Sequence, residues 1–257
     1  MVPERKRKLL STERETLICR SLSEGVKTIS ELSNELRVSE ATVRRDLETL
    51  EANGKLRRVH GGAELLRQHQ EPVYEEKASR NAAEKAYIAE KAVSFIKESD
   101  TIFLDGGSTV LELAKMLERF HDLTVVTNSL MAASALMERN FRLILVGGEF
   151  RSLSRTLVGP LTAKILDGMN ISKAFLGTIG FDPEKGISTT DTNEAYTKEL
   201  VMKRADHVFV LADSSKLGVS SFVFSGDISD IDPQTSDPGI PQNILKKLKT
   251  QNIEVIF

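Results

Sequence analysis

Apolar residues in the N-terminal quarter of the chain recur at intervals of three and four, which is the spacing of amphipathic helices. They predict a first helix through Ile18 and Leu22, a second over residues 28–36, and a third that begins after Ser39. Ser39 follows a tight break and stands in the position of a helix N-cap. A basic segment, residues 55–63, then predicts a β-hairpin. Three helices followed by a hairpin form a winged helix-turn-helix, which is a DNA-binding architecture.

The third helix has an apolar face and a polar face. The apolar face is formed by Val43, Leu47 and Leu50. The other presents Thr42 and Arg45; in a DNA major groove, arginine reads guanine or grips phosphate, and threonine contacts a base edge or the backbone. The predicted DNA contacts are Ser39, Thr42, Arg44 and Arg45 on the helix, with Arg57, Arg58 and His60 on the hairpin. The alternative is a protein-binding domain whose charges are only solvated.

The rest of the chain alternates short apolar strands with helices. The predicted strands cover residues 101–104, 123–126, 141–146, 174–179, 207–211 and 253–257. The predicted helices cover residues 81–98, 108–117, 129–137, 161–166, 193–203 and 244–248. Near-continuous apolar strands separated by helices predict a mostly parallel sheet covered on both faces. The predicted fold class is α/β: a winged helix-turn-helix at 1–65, a polar linker at 66–77, and a mostly parallel α/β domain at 78–257.

Polar residues and glycines follow the carboxyl ends of these strands, where parallel sheets bind ligands. Residues 105–109, Asp-Gly-Gly-Ser-Thr, join one strand to the next helix. Glycine lets the backbone approach a ligand closely, and the helix N-terminus offers free N–H groups. Ser108 and Thr109 add hydroxyl donors. This predicts a phosphate-binding turn without the Gly-Lys-Ser/Thr of nucleotide loops; the alternative is a plain glycine turn with a serine cap.

Other strand ends and one helix extend this candidate site. Arg151 follows a Gly-Gly turn, and its guanidinium suits bidentate binding of an anion. Glu194 and Lys198 lie one helical turn apart, so they either bind sugar hydroxyls or form an exposed ion pair. The candidate effector-binding residues are Asp105, Gly107, Ser108, Thr109, Thr127, Asn128, Arg151, Glu194, Lys198 and Lys216. Phosphate donors beside carboxylates and an amide suit a small phosphorylated sugar.

Composition narrows the class of protein. A chain of 257 residues that is 40% hydrophobic and 28% charged is typical of a soluble globular protein with two domains. Cys19 is the only cysteine, which excludes an intrachain disulfide, and four scattered histidines predict no metal site; no cofactor is predicted. No apolar run is long enough to span a membrane, so we expect a cytoplasmic protein without membrane contact. The net charge is only −2, but the first 62 residues hold 13 Lys and Arg against 10 Asp and Glu.

Several motifs in the chain point to one known family. The N-terminal motifs are Ser-x-x-Thr-Val-Arg-Arg-Asp-Leu at residues 39–47 and Arg-Val-His-Gly-Gly-Ala at 58–63. The C-terminal motifs are Asp-Gly-Gly-Ser-Thr at 105–109, Thr-Asn-Ser at 127–129, Gly-Gly at 147–148, Ala-Phe-Leu-Gly at 174–177 and Ala-Asp-Ser-Ser-Lys-Leu-Gly at 212–218. By these motifs the chain resembles, over nearly its whole length, the DeoR family of bacterial transcriptional regulators.

That resemblance implies a sensor domain similar in fold to ribose-5-phosphate isomerase. It also implies a repressor of a sugar-catabolic operon, controlled by a phosphorylated sugar. The expected partners are a double-stranded DNA operator and further copies of the chain, since a dimer or tetramer reads two half-sites. The chain departs from the family pattern in residues 1–11 and in residues 225–241, where a composition rich in Asp, Ser and Pro disfavours strand pairing.

An enzyme is the main alternative function. It would be a sugar-phosphate isomerase with an appended DNA-binding domain, in which Asp105, Glu194 and Lys198 supply a base and an electrophile. A third hypothesis is a degenerate sensor that binds only a protein. We expect a regulator and not an enzyme, because both halves of the chain carry the regulator motifs.

Overall fold

The computed structural model of the protein describes residues 11–22, 25–52, 56–59, 61–65, 71–232, 234–251 and 253–257. The chain divides into two compact units, residues 1–70 and residues 71–257. None of the helices in these described ranges is long and apolar enough to cross a membrane.

The first unit is a winged helix-turn-helix, as predicted. Its elements are α1 (Ser11–Leu22), β1 (Lys27–Thr28), α2 (Ile29–Leu36), α3 (Glu40–Ala52), β2 (Leu56–Val59) and β3 (Gly62–Leu65). The three strands form an antiparallel sheet in the order β1-β3-β2. Thr28 and Glu31 form a reciprocal capping box that begins α2, because each side chain accepts a hydrogen bond from the backbone of the other.

The turn between α2 and α3 is held by local hydrogen bonds. Arg37 ends α2 in the left-handed conformation, with φ of 55°. The Ser33 hydroxyl donates to the Val38 carbonyl at 2.6 Å. The Ser39 hydroxyl accepts from the Thr42 N–H at 3.2 Å, so the predicted cap is present and α3 begins at the next residue.

One side of α3 is buried against the other helices. Val43, Leu47 and Leu50 are fully buried in the core of the unit, as their spacing predicts. Asp46 is also buried, and it accepts hydrogen bonds from Arg14 Nε at 2.7 Å and Nη2 at 2.8 Å. This bidentate pair joins α3 to α1 and raises the pKa of Arg14, chiefly through the hydrogen bonds that Arg14 donates to Asp46. The apolar face and Asp46 therefore fix which side of α3 is exposed.

The second unit is built on a seven-stranded parallel sheet. Its strands are β4 (Thr101–Leu104), β5 (Thr124–Thr127), β6 (Arg142–Leu145), β9 (Ile171–Gly177), β12 (Ala205–Leu211), β14 (Gln234–Thr235) and β15 (Val255–Ile256). They lie in the sheet in the order β15-β14-β12-β9-β4-β5-β6. The helices are α4 (Tyr74–Ser79), α5 (Ala82–Val93), α6 (Ser108–Lys115), α7 (Leu130–Leu136), α8 (Pro160–Leu166), α9 (Thr192–Arg204) and α10 (Gln242–Thr250). Along β4, the side chain of Phe103 packs into one hydrophobic core, whereas Ile102 and Leu104 pack into another. Both faces of the sheet are therefore covered.

Two small antiparallel sheets were not predicted from the sequence. One is the hairpin of β7 (Glu149–Arg151) and β8 (Thr156–Val158). The other has the order β10-β11-β13 and consists of β10 (Gly180–Asp182), β11 (Gly186–Thr189) and β13 (Val223–Gly226). These strands have only three or four residues, which is too short for an alternating pattern to be distinguished from a loop.

The structure differs from the sequence-based predictions at a helix end, at one strand and at the linker. The helix predicted to reach residue 98 ends at Val93, where the Ser94 hydroxyl donates to the Lys91 carbonyl at 2.6 Å. The segment 225–241, in which strand pairing was doubted, contributes β14 to the parallel sheet. The predicted linker at 66–77 is wrong for residues 71–77, because they belong to the second unit and Tyr74 is buried there. Residues 66–70 lie outside the described ranges.

Candidate functional site

The predicted DNA contacts on α3 differ in how they are held. Arg45 is exposed and makes no ion pair or side-chain hydrogen bond with any described residue. Arg44 is paired with Glu40, one turn earlier on the helix, at 2.8 Å. The hydroxyls of Ser39 and Thr42 lie 2.9 Å apart, and Ser39 is engaged in capping the helix. Arg45 is therefore the side chain of this face whose donors remain available to a partner.

The two hairpin arginines, Arg57 and Arg58, are consecutive residues of β2, and each has a carboxylate partner. Arg57 Nε donates to Glu64 at 2.7 Å across the hairpin, and Arg58 lies 3.4 Å from Glu48 on α3. Both arginines are more than one-third exposed, so these pairs are weak and exchange readily for phosphate. His60, the remaining predicted contact, lies outside the described residues.

A cavity of about 130 Å³ lies at the carboxyl end of the parallel sheet in the second unit. Its walls come from the residues after β4, β9 and β12, from the N-terminus of α6, and from the segment before α5. Seven of the predicted effector-binding residues line it: Asp105, Gly107, Ser108, Thr109, Glu194, Lys198 and Lys216. The location is the one expected for ligand binding in a parallel sheet.

The turn at residues 105–109 brings main-chain donors to the cavity. Gly107 caps α6 with φ of 125° and ψ of 153°, a conformation available essentially only to glycine. A Cβ atom on Gly106 would come within 2.1 Å of Thr156 Cγ2, so only glycine fits there also. The first N–H groups of α6 have no partner within the helix, and Gly107, Ser108 and Thr109, where the helix begins, line the cavity. This arrangement can hold a phosphate group.

Asp105 and Lys198 form a buried ion pair at one wall of the cavity. The Lys198 ammonium also donates to the Gly177 carbonyl at 3.0 Å, and the Gly177 N–H donates to Asp105 Oδ2 at 3.1 Å. The pair therefore links β4, β9 and α9 at the edge of the site. The hypothesis that Lys198 forms an exposed ion pair with Glu194 is wrong, because both side chains are buried and each has other partners.

Glu194 lies in a second hydrogen-bonded group, together with Arg151. Its carboxylate accepts from the Thr189 hydroxyl at 2.8 Å and from Arg151 Nη1 at 3.4 Å. Arg151 is also 2.7 Å from Glu71 and 3.4 Å from Asp191. Burial lowers the pKa of Arg151, but the surrounding carboxylates outweigh it and the pKa is raised. Arg151 is not among the residues that line the cavity, and its guanidinium pairs with Glu71 and Glu194 beside it. Its direct contact with an anion stays a prediction.

Thr127 and Asn128 also lie outside the cavity wall. The Thr127 hydroxyl donates to the Leu104 carbonyl at 2.6 Å and accepts from the Ser129 N–H at 3.0 Å. The Asn128 amide donates to the Leu157 carbonyl at 3.2 Å. Both side chains are nearly inaccessible and connect neighbouring segments. These contacts give both side chains a structural role, and their binding of an effector stays a prediction.

Three cations of the segment before β4 were not predicted from the sequence to belong to the site. Lys77, Arg80 and Lys85 all line the cavity. The Lys85 ammonium is buried and donates to the carbonyls of Lys77 and Arg80, and burial lowers its pKa. The available signal was the position of Lys85 on the small-residue face of α5, since a lysine is rarely placed toward a core without a partner.

The family of this protein is shown by comparison with known sequences. Residues 15–69 match the model of the DeoR-like helix-turn-helix domain, and residues 80–237 match the DeoR C terminal sensor domain. The chain belongs to the DeoR family. It is accordingly a DNA-binding transcriptional regulator with a C-terminal sensor domain, and the predicted family and fold class are confirmed.

Two relatives of the regulator cover most of its length. The uncharacterized HTH-type transcriptional regulator FruR of Bacillus subtilis (strain 168) is 40% identical over 89% of this chain and 92% of its own. The lactose phosphotransferase system repressor of Streptococcus mutans serotype c is 38% identical over 83% of this chain and 86% of its own. Both are named as regulators and not as enzymes.

Among solved structures, a ribose 5-phosphate isomerase from Methanocaldococcus jannaschii is similar to the regulator over 53% of this chain and 55% of its own. The TM-score is 0.40 and the sequence identity is 20%.

Proposed function

We propose that this DeoR-family regulator represses a sugar-catabolic operon and that a small phosphorylated sugar, bound in the cavity of the second unit, controls its affinity for operator DNA. The observation that carries the proposal is that one cavity holds both a helix N-terminus and two lysines, Lys85 and Lys216, that form no ion pair with any described carboxylate. A relative of the regulator is named as a lactose phosphotransferase system repressor, which supports the same assignment.

The phosphate end of the cavity is proposed to comprise the α6 N-terminus, Lys85 and Lys216. Lys85 donates only to main-chain carbonyls, and no described residue forms an ion pair or side-chain hydrogen bond with the Lys216 ammonium. Free N–H groups and unneutralised ammonium groups both favour a dianion. A phosphate ester therefore supplies the charge that this end of the cavity requires.

The sugar end of the cavity is proposed to lie toward Asp105, Glu194 and Asp213. Their carboxylates are acceptors, as hydroxyl-rich ligands require, and Ser154 and Thr189 add hydroxyls beside them. The volume of about 130 Å³ is well below the range of about 300 to 1,000 Å³ typical of sites for drug-sized ligands. A small phosphorylated sugar fits this combination better than a nucleotide.

DNA binding is proposed to use α3 in the major groove and the hairpin along the backbone. Thr42, Arg44 and Arg45 face the groove, and Arg57 and Arg58 contact phosphates. A dimer or tetramer of the chain would place two such units on a double-stranded operator with two half-sites.

Thermal unfolding of the full-length protein tests the effector assignment. The panel is ribose 5-phosphate, fructose 1-phosphate and fructose 6-phosphate, with the free sugars and inorganic phosphate as controls. An ester present at about ten times its dissociation constant should add about 1.4 kcal/mol of stability. The Ser108→Ala, Thr109→Ala double variant should fold but lose that gain. Absence of any gain in the unmodified protein would contradict the sugar-phosphate assignment.

The affinity for a phosphate ester should fall as the pH rises through the pKa of Lys216, which is lowered from that of an ordinary lysine. Burial lowers the pKa of Lys216, against the opposing charge of Asp213. The cations Lys77 and Arg80 lower it further. A bound phosphate favours the charged ammonium, so binding takes up a proton at pH values above that lowered pKa. The affinity for the ester is highest below the pKa of Lys216 and decreases above it, by up to about tenfold per pH unit.

Isothermal titration of the stabilising ester between about pH 7 and about pH 10 measures this dependence, since the phosphate is a dianion throughout the range. Lys216→Met should bind more weakly and show a flatter pH profile than the unmodified protein. An affinity that stays constant across the range in the unmodified protein would exclude Lys216 from the phosphate site.

A further inference from the structure

The side chain of Glu71 occupies an anion-binding position beside the cavity. Its carboxylate is paired with Lys77 through one oxygen. The other oxygen lies 2.7 Å from Arg151 Nη2 and accepts from the Thr190 hydroxyl at 2.8 Å. Only 2% of the Glu71 side chain is exposed, so three donors surround a buried carboxylate. This is the coordination that a bound phosphate oxygen would also seek.

The carboxylate of Glu71 is held in its charged form. Burial raises its pKa, but Lys77, with the hydrogen bonds from Arg151 and Thr190, outweighs burial and the pKa is lowered. Arg151 also faces Glu194 and Asp191, so three carboxylates surround two cations in this group. A dianion that enters beside it is therefore repelled by Glu71 and attracted by Lys77, which lines the cavity.

Residues 71–81, which begin with Glu71, form a segment that we call the strap. The strap supplies five residues of the wall: Glu71, Pro72, Lys77, Arg80 and Asn81. Its far end is anchored, since the Asn81 amide donates to Asp213 at 3.0 Å. Its middle is anchored by the buried ring of Tyr74, over which the Arg155 guanidinium lies at 4.9 Å. The near end is held through the carboxylate of Glu71.

We propose that Glu71 is an internal competitor of the effector: its carboxylate and the effector phosphate compete for Lys77, and the outcome decides whether the near end of the strap stays attached. The inference rests on the proposed function of this cavity. The strap begins where the second unit begins, directly after the residues of the DNA-binding unit in the chain. Release of Glu71 therefore frees the start of the second unit, which follows the DNA-binding unit directly in the sequence.

Substitution Glu71→Gln removes the competing charge and keeps the size of the side chain. We expect the full-length variant to bind inorganic phosphate about tenfold more tightly than the unmodified protein, because Lys77, which lines the cavity, loses its charged partner. Its affinity for an operator duplex, selected from random DNA, should change less than twofold on addition of ribose 5-phosphate, fructose 1-phosphate or fructose 6-phosphate. Glu75→Gln is the matched control, since Glu75 lies on the strap but outside the cavity wall.

The outcomes separate this inference from the proposed function. Tighter phosphate binding with loss of the operator response, in Glu71→Gln and not in Glu75→Gln, supports the competition. Equal phosphate affinity in Glu71→Gln and the unmodified protein, with a normal operator response, overturns the competition and leaves the proposed function standing. If the unmodified protein binds neither inorganic phosphate nor any of the three esters, the proposed function itself fails.

A second variant covers the case in which Glu71→Gln does not fold. Thr190→Val removes the hydrogen bond that Thr190 donates to the Glu71 carboxylate and the one that it accepts from Arg151 at 3.2 Å, and it leaves every charge in place. It should raise the affinity for inorganic phosphate by a smaller factor, about two- to threefold. An unchanged or lower affinity in this variant counts against the competition.

Discussion

Asp105→Asn should lower the free energy of unfolding of the second unit by about 3 to 5 kcal/mol, the range measured when one partner of a buried ion pair is removed. Lys198 would keep its charge on a side chain that is only 8% exposed. Its ammonium would retain the Gly177 carbonyl as a partner. The same substitution weakens the hydrogen bond to the Gly177 N–H, which holds β9 beside β4. The stability of the site and its geometry therefore depend on the same carboxylate.

Urea unfolding followed by tyrosine fluorescence measures this loss selectively. The chain has no tryptophan, and its three tyrosines, Tyr74, Tyr87 and Tyr196, all lie in the second unit. The Asp105→Asn, Lys198→Met double variant should recover much of the stability, because it leaves no buried charge alone. Lys203→Met, which removes an exposed ion pair from the same helix as Lys198, should leave the midpoint unchanged. A loss below about 1 kcal/mol in Asp105→Asn would show that the pair is not buried in solution.

Arg45→Ala should weaken operator binding by about ten- to a hundredfold and relax sequence preference at one base pair of each half-site. Arg45 is exposed on the face of α3 opposite Val43 and Leu47, and no described residue pairs with it. Its planar fork of donors is free to meet guanine, without first giving up a carboxylate partner as Arg44 must.

Fluorescence anisotropy with a selected operator and with single-base variants of it separates base reading from phosphate contact. Arg57→Ala should weaken binding to all these duplexes alike and reduce the salt dependence by about one ion. Arg45→Lys keeps the charge and should restore affinity more than sequence preference. A loss in Arg45→Ala that is uniform across all duplexes would assign Arg45 to the DNA backbone.

The sequence was most informative where local periodicity and tertiary packing agree. Val43 and Leu47 share a helical face that packs into the core, so spacing alone predicts the exposed side of α3. The cap at Ser39 and the glycine turn before α6 are also local features. The parallel strands were predicted because they are buried on both faces and are therefore continuously apolar.

The charged part of the cavity was harder to predict, because its partners are distant in sequence. Glu71 and Lys77 look like linker residues until Arg151 and Thr190 are placed beside them by the fold. The polarity that suggested a solvated segment instead reflects charges that are buried and neutralised by one another. Thr127 shows the reverse case: a polar residue at a strand end that satisfies the backbone and does not reach the cavity.

The operator affinity of the full-length protein, measured with and without sugar phosphates, is the direct test of control by a phosphorylated sugar. We expect one of ribose 5-phosphate, fructose 1-phosphate and fructose 6-phosphate to weaken operator binding at least about tenfold, a typical allosteric coupling. The free sugar and inorganic phosphate at the same concentration should have smaller effects. The Ser108→Ala, Thr109→Ala double variant should bind the operator normally and ignore the ester. Sequence-specific binding that no ester changes, in the unmodified protein, would contradict control by a phosphorylated sugar.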